Sequence, residues 1–204
     1  MKNYTSKERI KLLFSLPVVI AALGYFVDIF DLLLFGIVRV PSLETLQLDI
    51  DKVGTLIINW QMSGLLIGGI LWGILGDKKG RLSVLFGSIL VYSIANILCG
   101  FLPQLPHENI VTIYASLRFI AGIGLAGELG AGITLVSESL PKDLRAIGTS
   151  IVAGFGLLGA VAAQLSVQLA SDWTIAYFIG GAMGLALLIL RISISESGIY
   201  KEIA

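Results

Sequence analysis

The chain reads as an all-α integral membrane protein with six transmembrane helices. Two observations carry that expectation. Charged residues make up only 14% of the 204 residues and apolar ones 56%, whereas an ordinary soluble domain is roughly 25% charged. A water-soluble fold of this size would need more polar surface than the chain supplies. The second observation is segmentation: six stretches each provide the roughly 20 mostly apolar residues that a helix needs to cross about 30 Å of hydrocarbon. The formal net charge is zero and Cys99 is the single cysteine. A basic nucleic-acid binder, a disulfide scaffold and a disordered tail are thereby excluded.

The first span, residues 14–35, is apolar apart from Asp28 and Asp31. It is too long and too acidic for a cleaved signal peptide, and five further spans follow it. The second and third, 56–75 and 82–101, are separated by a short basic turn. The fourth, 112–136, contains Arg118, Glu128 and a glycine run from Gly122 to Gly132. The fifth and sixth, 147–170 and 173–190, complete a single domain over residues 1–204; the sixth is short for a span, and an extension to Ile194 is the alternative end. Residues 36–54, with Pro41, Glu44, Asp49 and Asp51, read as the longest external loop. Small residues at helical spacing, Gly64/Gly68, Gly69/Gly73 and Gly180/Gly184, allow close helix contact in lipid, where burial of apolar surface gives no net drive.

Charge sets the orientation. With the N-terminus inside, Lys2, Lys7, Arg9, Lys11, Lys78, Lys79, Arg81, Lys142, Arg145, Arg191 and Lys201 fall on the cytoplasmic side, against Arg39 and Lys52 outside. That asymmetry places both termini in the cytoplasm.

Four ionisable residues lie within the expected spans: Asp28, Asp31, Arg118 and Glu128. Insertion scales put the cost of an Asp or Arg at a helix centre at about 2.5–3.5 kcal/mol, so such groups face a protein interior or a water-filled path. Asp28 and Asp31 are three residues apart and share a helix face. Paired carboxylates of this kind can hold and release a proton. Asp28 and Arg118 lie at similar depth, which makes an ion pair between the first and fourth helices feasible. Asp31 is close enough to the outer boundary to be solvated or to act as a cap. Glu128 is ten residues, or about 15 Å, further inward than Arg118.

Between the second and third spans the chain runs GILGDKKGR from Gly73 to Arg81, with Gly64 nine residues earlier. The segment resembles the signature loop of the major facilitator superfamily, G-x8-G-x-x-x-D-[RK]-x-G-R. The first span, from Gly24 through Asp28 to Asp31, and the fourth, from Arg118 through Gly122, Gly124 and Glu128 to Glu138, Pro141 and Arg145, are similar to the metabolite:proton and phosphate:proton symporter families. The pattern departs from those families at Leu82, Ala121 and Ala126.

The resemblance implies the amino-terminal six-helix bundle of such a transporter, built as two three-helix inverted repeats. It implies proton-coupled transport of a small anionic, organic or phosphate-containing solute in a bacterial inner membrane. Asp28, Asp31, Arg118 and Glu128 would serve substrate or proton coupling. Gly73, Asp77, Gly80, Arg81, Glu138 and Arg145 would form a cytoplasmic gate. Uniport or anion exchange is the mechanistic alternative, and a non-transporting assembly or sensor subunit the other class. The expected partners are a small-molecule substrate, protons, the lipid bilayer and a second six-helix half. That half would be a separate chain, the missing part of a longer chain, or a second copy. Enzymatic activity, a cofactor, a metal site and nucleic-acid binding are not expected: His107 and Cys99 stand apart, and the glycine-rich fourth span lacks the lysine of a phosphate-binding loop.

Overall fold

The computed structural model describes residues 5–79, 81–170 and 172–196, and of these the side chains of all but 81–82, 129–135, 138 and 194–196. Six long helices carry the expected spans: α2 (Leu16–Thr45), α3 (Lys52–Lys79), α4 (Arg81–Gly100), α5 (Ile110–Ser139), α6 (Arg145–Leu169) and α7 (Trp173–Glu196). Each contains a stretch long and apolar enough to cross a membrane. A short helix, α1 (Ser6–Leu13), precedes them, and two 3-10 turns at Leu102–Gln104 and His107–Asn109 join α4 to α5.

One boundary differs from expectation. Residues 36–45 are not loop but continue α2 as far as Thr45. Gly36 and Pro41 disfavour a helix, yet Val38, Ser42 and Leu43 are buried and extend the inward face of the helix. Pro41 forgoes only one backbone hydrogen bond close to the helix end. The connection shrinks to residues 46–51, where Gln47 adopts a positive φ of 54°. Asp49 Oδ1 accepts from the backbone N–H groups of Asp51 and Lys52 at 3.0 and 2.7 Å, capping α3. Arg39 clamps the turn, donating to the Ile50 carbonyl and to Asp51 Oδ1, each at 3.3 Å.

The heaviest packing is of α3 on α5 and of α2 on α6, followed by α4 on α5 and α4 on α7; α2 also crosses α5. Exchanging α2 with α5, α3 with α6 and α4 with α7 turns the first pair into the second and leaves α2/α5 and α4/α7 unchanged. That is the relation expected of two inverted three-helix repeats. Glycines make the closest crossings possible. A methyl group at Gly64 would run into the Phe119 carbonyl of α5, and one at Gly159 into the Phe26 carbonyl of α2. The neighbouring pair Gly69 and Gly73 has open space on its free side. The outer faces of α3 and α6 carry exposed Leu66, Ile70, Leu157 and Val161, a surface suited to hydrocarbon.

Candidate functional site

Two clusters of polar side chains lie inside this apolar bundle. The first is centred on Arg118 of α5, which is fully buried. Its Nη1 donates to Asn96 Oδ1 of α4 at 2.8 Å and lies 3.5 Å from Asp31 Oδ1 of α2. Its Nη2 donates to the Asp31 backbone carbonyl and its Nε to Gln61 Oε1 of α3, both at 3.3 Å. Asn96 Nδ2 in turn donates to Asp31 Oδ1 at 2.7 Å. The guanidinium carbon stands 5.5 Å from the ring centre of Tyr177 on α7, within cation–π range. The Tyr177 hydroxyl is 2.8 Å from that of Tyr114, which donates to Ser42 Oγ at 3.3 Å. All three nitrogens of Arg118 are thus engaged, and five of the six long helices meet at one side chain.

The second cluster holds Asp28 of α2, Glu128 of α5 and Arg191 of α7, all buried. Arg191 Nη2 lies 2.5 Å from Glu128 Oε1. Asp28 is within electrostatic reach of both, and of Asp31. Among the described residues, neither Asp28 oxygen has a hydrogen-bond partner, nor do Arg191 Nε and Nη1 or the Tyr92 hydroxyl on α4. Gly24, one turn before Asp28, gives the pair room: a methyl there would collide with both Arg191 and Glu128. Two carboxylates set against one guanidinium leave one unit of negative charge in a medium that penalises it. A single proton removes that charge.

These contacts revise two sequence expectations. Arg118 pairs with Asp31 rather than Asp28, and Asp31 is neither solvated nor a cap. The two aspartates differ in height by about 4.5 Å, one helical turn, which is finer than a depth counted from span boundaries can resolve. Arg191, counted among the cytoplasmic loop charges, is instead a buried member of α7. Gln61 and Asn96 are not distinguished by the sequence reading, and Arg191 enters it only as a charge at the cytoplasmic exit of the sixth span. Gln61 and Arg191 lie on regular inward stripes: Gly54, Ile57, Gln61, Gly64 and Gly68 on α3, and Tyr177, Gly180, Gly184, Leu187 and Arg191 on α7 are buried at alternating spacings of three and four. That periodicity was the available signal.

The expected gate residues lie at the end of the bundle that holds the α3–α4 junction and the α5–α6 turn. Asp77 is exposed near the C-terminus of α3, and Gly73 has open space beside it. Arg145 Nε donates to the Leu140 carbonyl at 3.0 Å, closing the end of α5. Gly80 and the side chains of Arg81 and Glu138 lie outside the described residues.

The inverted-repeat packing and the buried charges are the marks of a membrane transporter bundle, and comparison with known proteins gives the family. The chain belongs to the Major Facilitator Superfamily, whose model matches residues 21–200. It is 34% identical over 186 residues to the sialic acid transporter NanX of Escherichia coli, covering 89% of this chain and 44% of that protein. It is 30% identical over 181 residues to the niacin transporter NiaP of Acinetobacter baylyi, covering 87% of this chain and 40% of that protein. The fold resembles that of the E. coli proton:xylose symporter XylE bound to 6-bromo-6-deoxy-D-glucose. There the TM-score is 0.70 at 16% identity, over 93% of this chain and 45% of that one. The chain therefore spans less than half the length of the relatives it matches.

Proposed function

We propose that this chain forms the amino-terminal half of a proton-coupled transporter for a small carboxylate or other anionic solute. The observation that carries the reading is the cluster of Asp28, Glu128 and Arg191, where one buried cation faces two buried carboxylates. A proton neutralises the excess charge in one state of the cycle and leaves in the other, which couples proton movement to the packing of α2, α5 and α7 against one another. Arg118 and Asp31 provide the fixed frame for that movement, since every nitrogen of the arginine is already bonded. Niacin and sialic acid, the named substrates of two relatives, both carry a carboxylate, which supports an anionic substrate class.

In this reading Asp77, Arg81, Glu138 and Arg145, with Gly73 and Gly80 shaping the turn, form the gate at the cytoplasmic end, and both termini are cytoplasmic in a bacterial inner membrane. A second six-helix body supplies the other wall of the substrate path. Native mass spectrometry of the tagged chain extracted from its own membrane tests for that body, and reconstitution of the resulting assembly tests transport. The expected result is accumulation of nicotinate or sialic acid in proteoliposomes only when a pH gradient is imposed. Equal uptake with and without the gradient contradicts proton coupling.

A further inference from the structure

The helix ahead of the first span is built with two unlike sides. Thr5 and Glu8 form a capping box that closes the N-terminus of α1 (Ser6–Leu13). The Glu8 carboxyl accepts from the Thr5 backbone N–H and hydroxyl, which holds it below its ordinary pKa and ties its charge to the cap. Leu12 and Leu13 pack against the buried cluster containing Val18, Val136 and Leu144. Arg9 lies 3.7 Å from Asp143 in the turn between α5 and α6. These contacts dock one side of α1 onto the bundle.

At 100° per residue, Lys7, Ile10, Lys11 and Phe14 fall within an arc of about 100° on the other side. Ile10 and Phe14 are 60% and 64% exposed, and both lysines are exposed beside them. Further along the chain, Val19 and Leu23 of α2 are also partly exposed. An acidic side chain does not interrupt the arc on α1, because Glu8 points away into the cap.

We infer that α1 lies in the headgroup layer and is a binding site for anionic phospholipid. Lys7 and Lys11 meet the phosphates, while Ile10 and Phe14 enter the boundary of the acyl chains. The exposed Ile10 and Phe14, one short turn ahead of a membrane span, supply the apolar half of the argument. The paired lysines supply the charge complementarity, since a basic amphipathic segment beside a membrane span gathers acidic lipid. The site is independent of what the bundle transports.

The test is a spin label at Ile10→Cys in the full chain; the buried Cys99 is protected from the reagent. The protein is placed in vesicles of phosphatidylethanolamine with and without phosphatidylglycerol. The expected result is a label more accessible to oxygen than to a water-soluble nickel chelate, moving deeper when phosphatidylglycerol is present. Adding Lys7→Gln and Lys11→Gln should abolish that lipid dependence while leaving the fold intact, because both side chains are exposed. Greater access to the nickel chelate in every vesicle overturns the proposal. So does protection from both agents, which would mean that a protein partner covers the helix. A depth unaffected by phosphatidylglycerol in the parent protein overturns the choice of acidic lipid.

Discussion

Arg191 of α7 and Glu128 of α5 meet at 2.5 Å inside the bundle, and Asp28 of α2, within electrostatic reach of both, has no hydrogen-bond partner among the described residues. Three helices that are distant in sequence thus bring two carboxylates and one guanidinium together.

Breaking that pair from one side should be costly. Arg191→Gln leaves two buried carboxylates without a cation, and the loss expected for breaking a buried ion pair is about 3–5 kcal/mol. The double variant Glu128→Gln/Arg191→Gln removes both charges of the pair and should recover most of the stability. Thermal unfolding in a mild detergent measures the difference. Equal destabilisation of the single and double variants would mean that the side chains act by packing alone.

The Arg118 network should depend on its neutral members. Asn96→Leu removes both an acceptor for Arg118 and a donor to Asp31. The expected cost is about 1–3 kcal/mol for each buried group left unsatisfied. Arg118→Lys preserves the charge but cannot reach Gln61, Asn96 and the Asp31 carbonyl together, so it should also lower the unfolding temperature. An unchanged temperature for both variants would contradict the five-helix junction.

Glycines of equal spacing should respond in opposite ways. Gly64→Ala forces a methyl against the Phe119 carbonyl, and overpacking of this kind typically costs about 1–3 kcal/mol. Gly69→Ala meets open space and should be neutral or stabilising by up to about 1 kcal/mol, since alanine is the better helix former. Unfolding of the two variants side by side is sufficient to check this.

Asp77→Asn should shift the balance between inward-facing and outward-facing states more than it changes solute affinity. Cysteine accessibility at the two ends of the bundle reads the balance. An unchanged accessibility pattern, with affinity lost, would move Asp77 from a gating role to a substrate-binding one.

The six spans were legible because length and hydropathy are properties of each segment alone. The motif around Gly73–Arg81 was legible because its spacing is local. Partner choice was not: whether Arg118 reaches Asp28 or Asp31 depends on helix register to within one turn. Arg191 was lost for a different reason. An apolar window weakens at the first charge, so the sixth span reads as 173–190 with Ile194 as the alternative end, whereas α7 runs on to Glu196 and its inward stripe includes Arg191. Asn96 and Gln61 carry no charge, so neither stands out from an apolar span as an ionisable residue does. In a low-dielectric interior an amide that satisfies an arginine matters as much as the charge it satisfies. The last turns of α2 are hidden in the sequence by Gly36 and Pro41, which disfavour a helix, while the buried Val38, Ser42 and Leu43 mark the packing that outweighs them.

Proton coupling through Asp28 is tested by comparing two transport modes in one variant. Asp28→Asn should abolish pH-gradient-driven accumulation of nicotinate or sialic acid in proteoliposomes of the assembled transporter. It should leave counterflow exchange of the same solute, which needs no net proton movement, measurable. Full accumulation by Asp28→Asn with an unchanged pH profile would contradict the assignment.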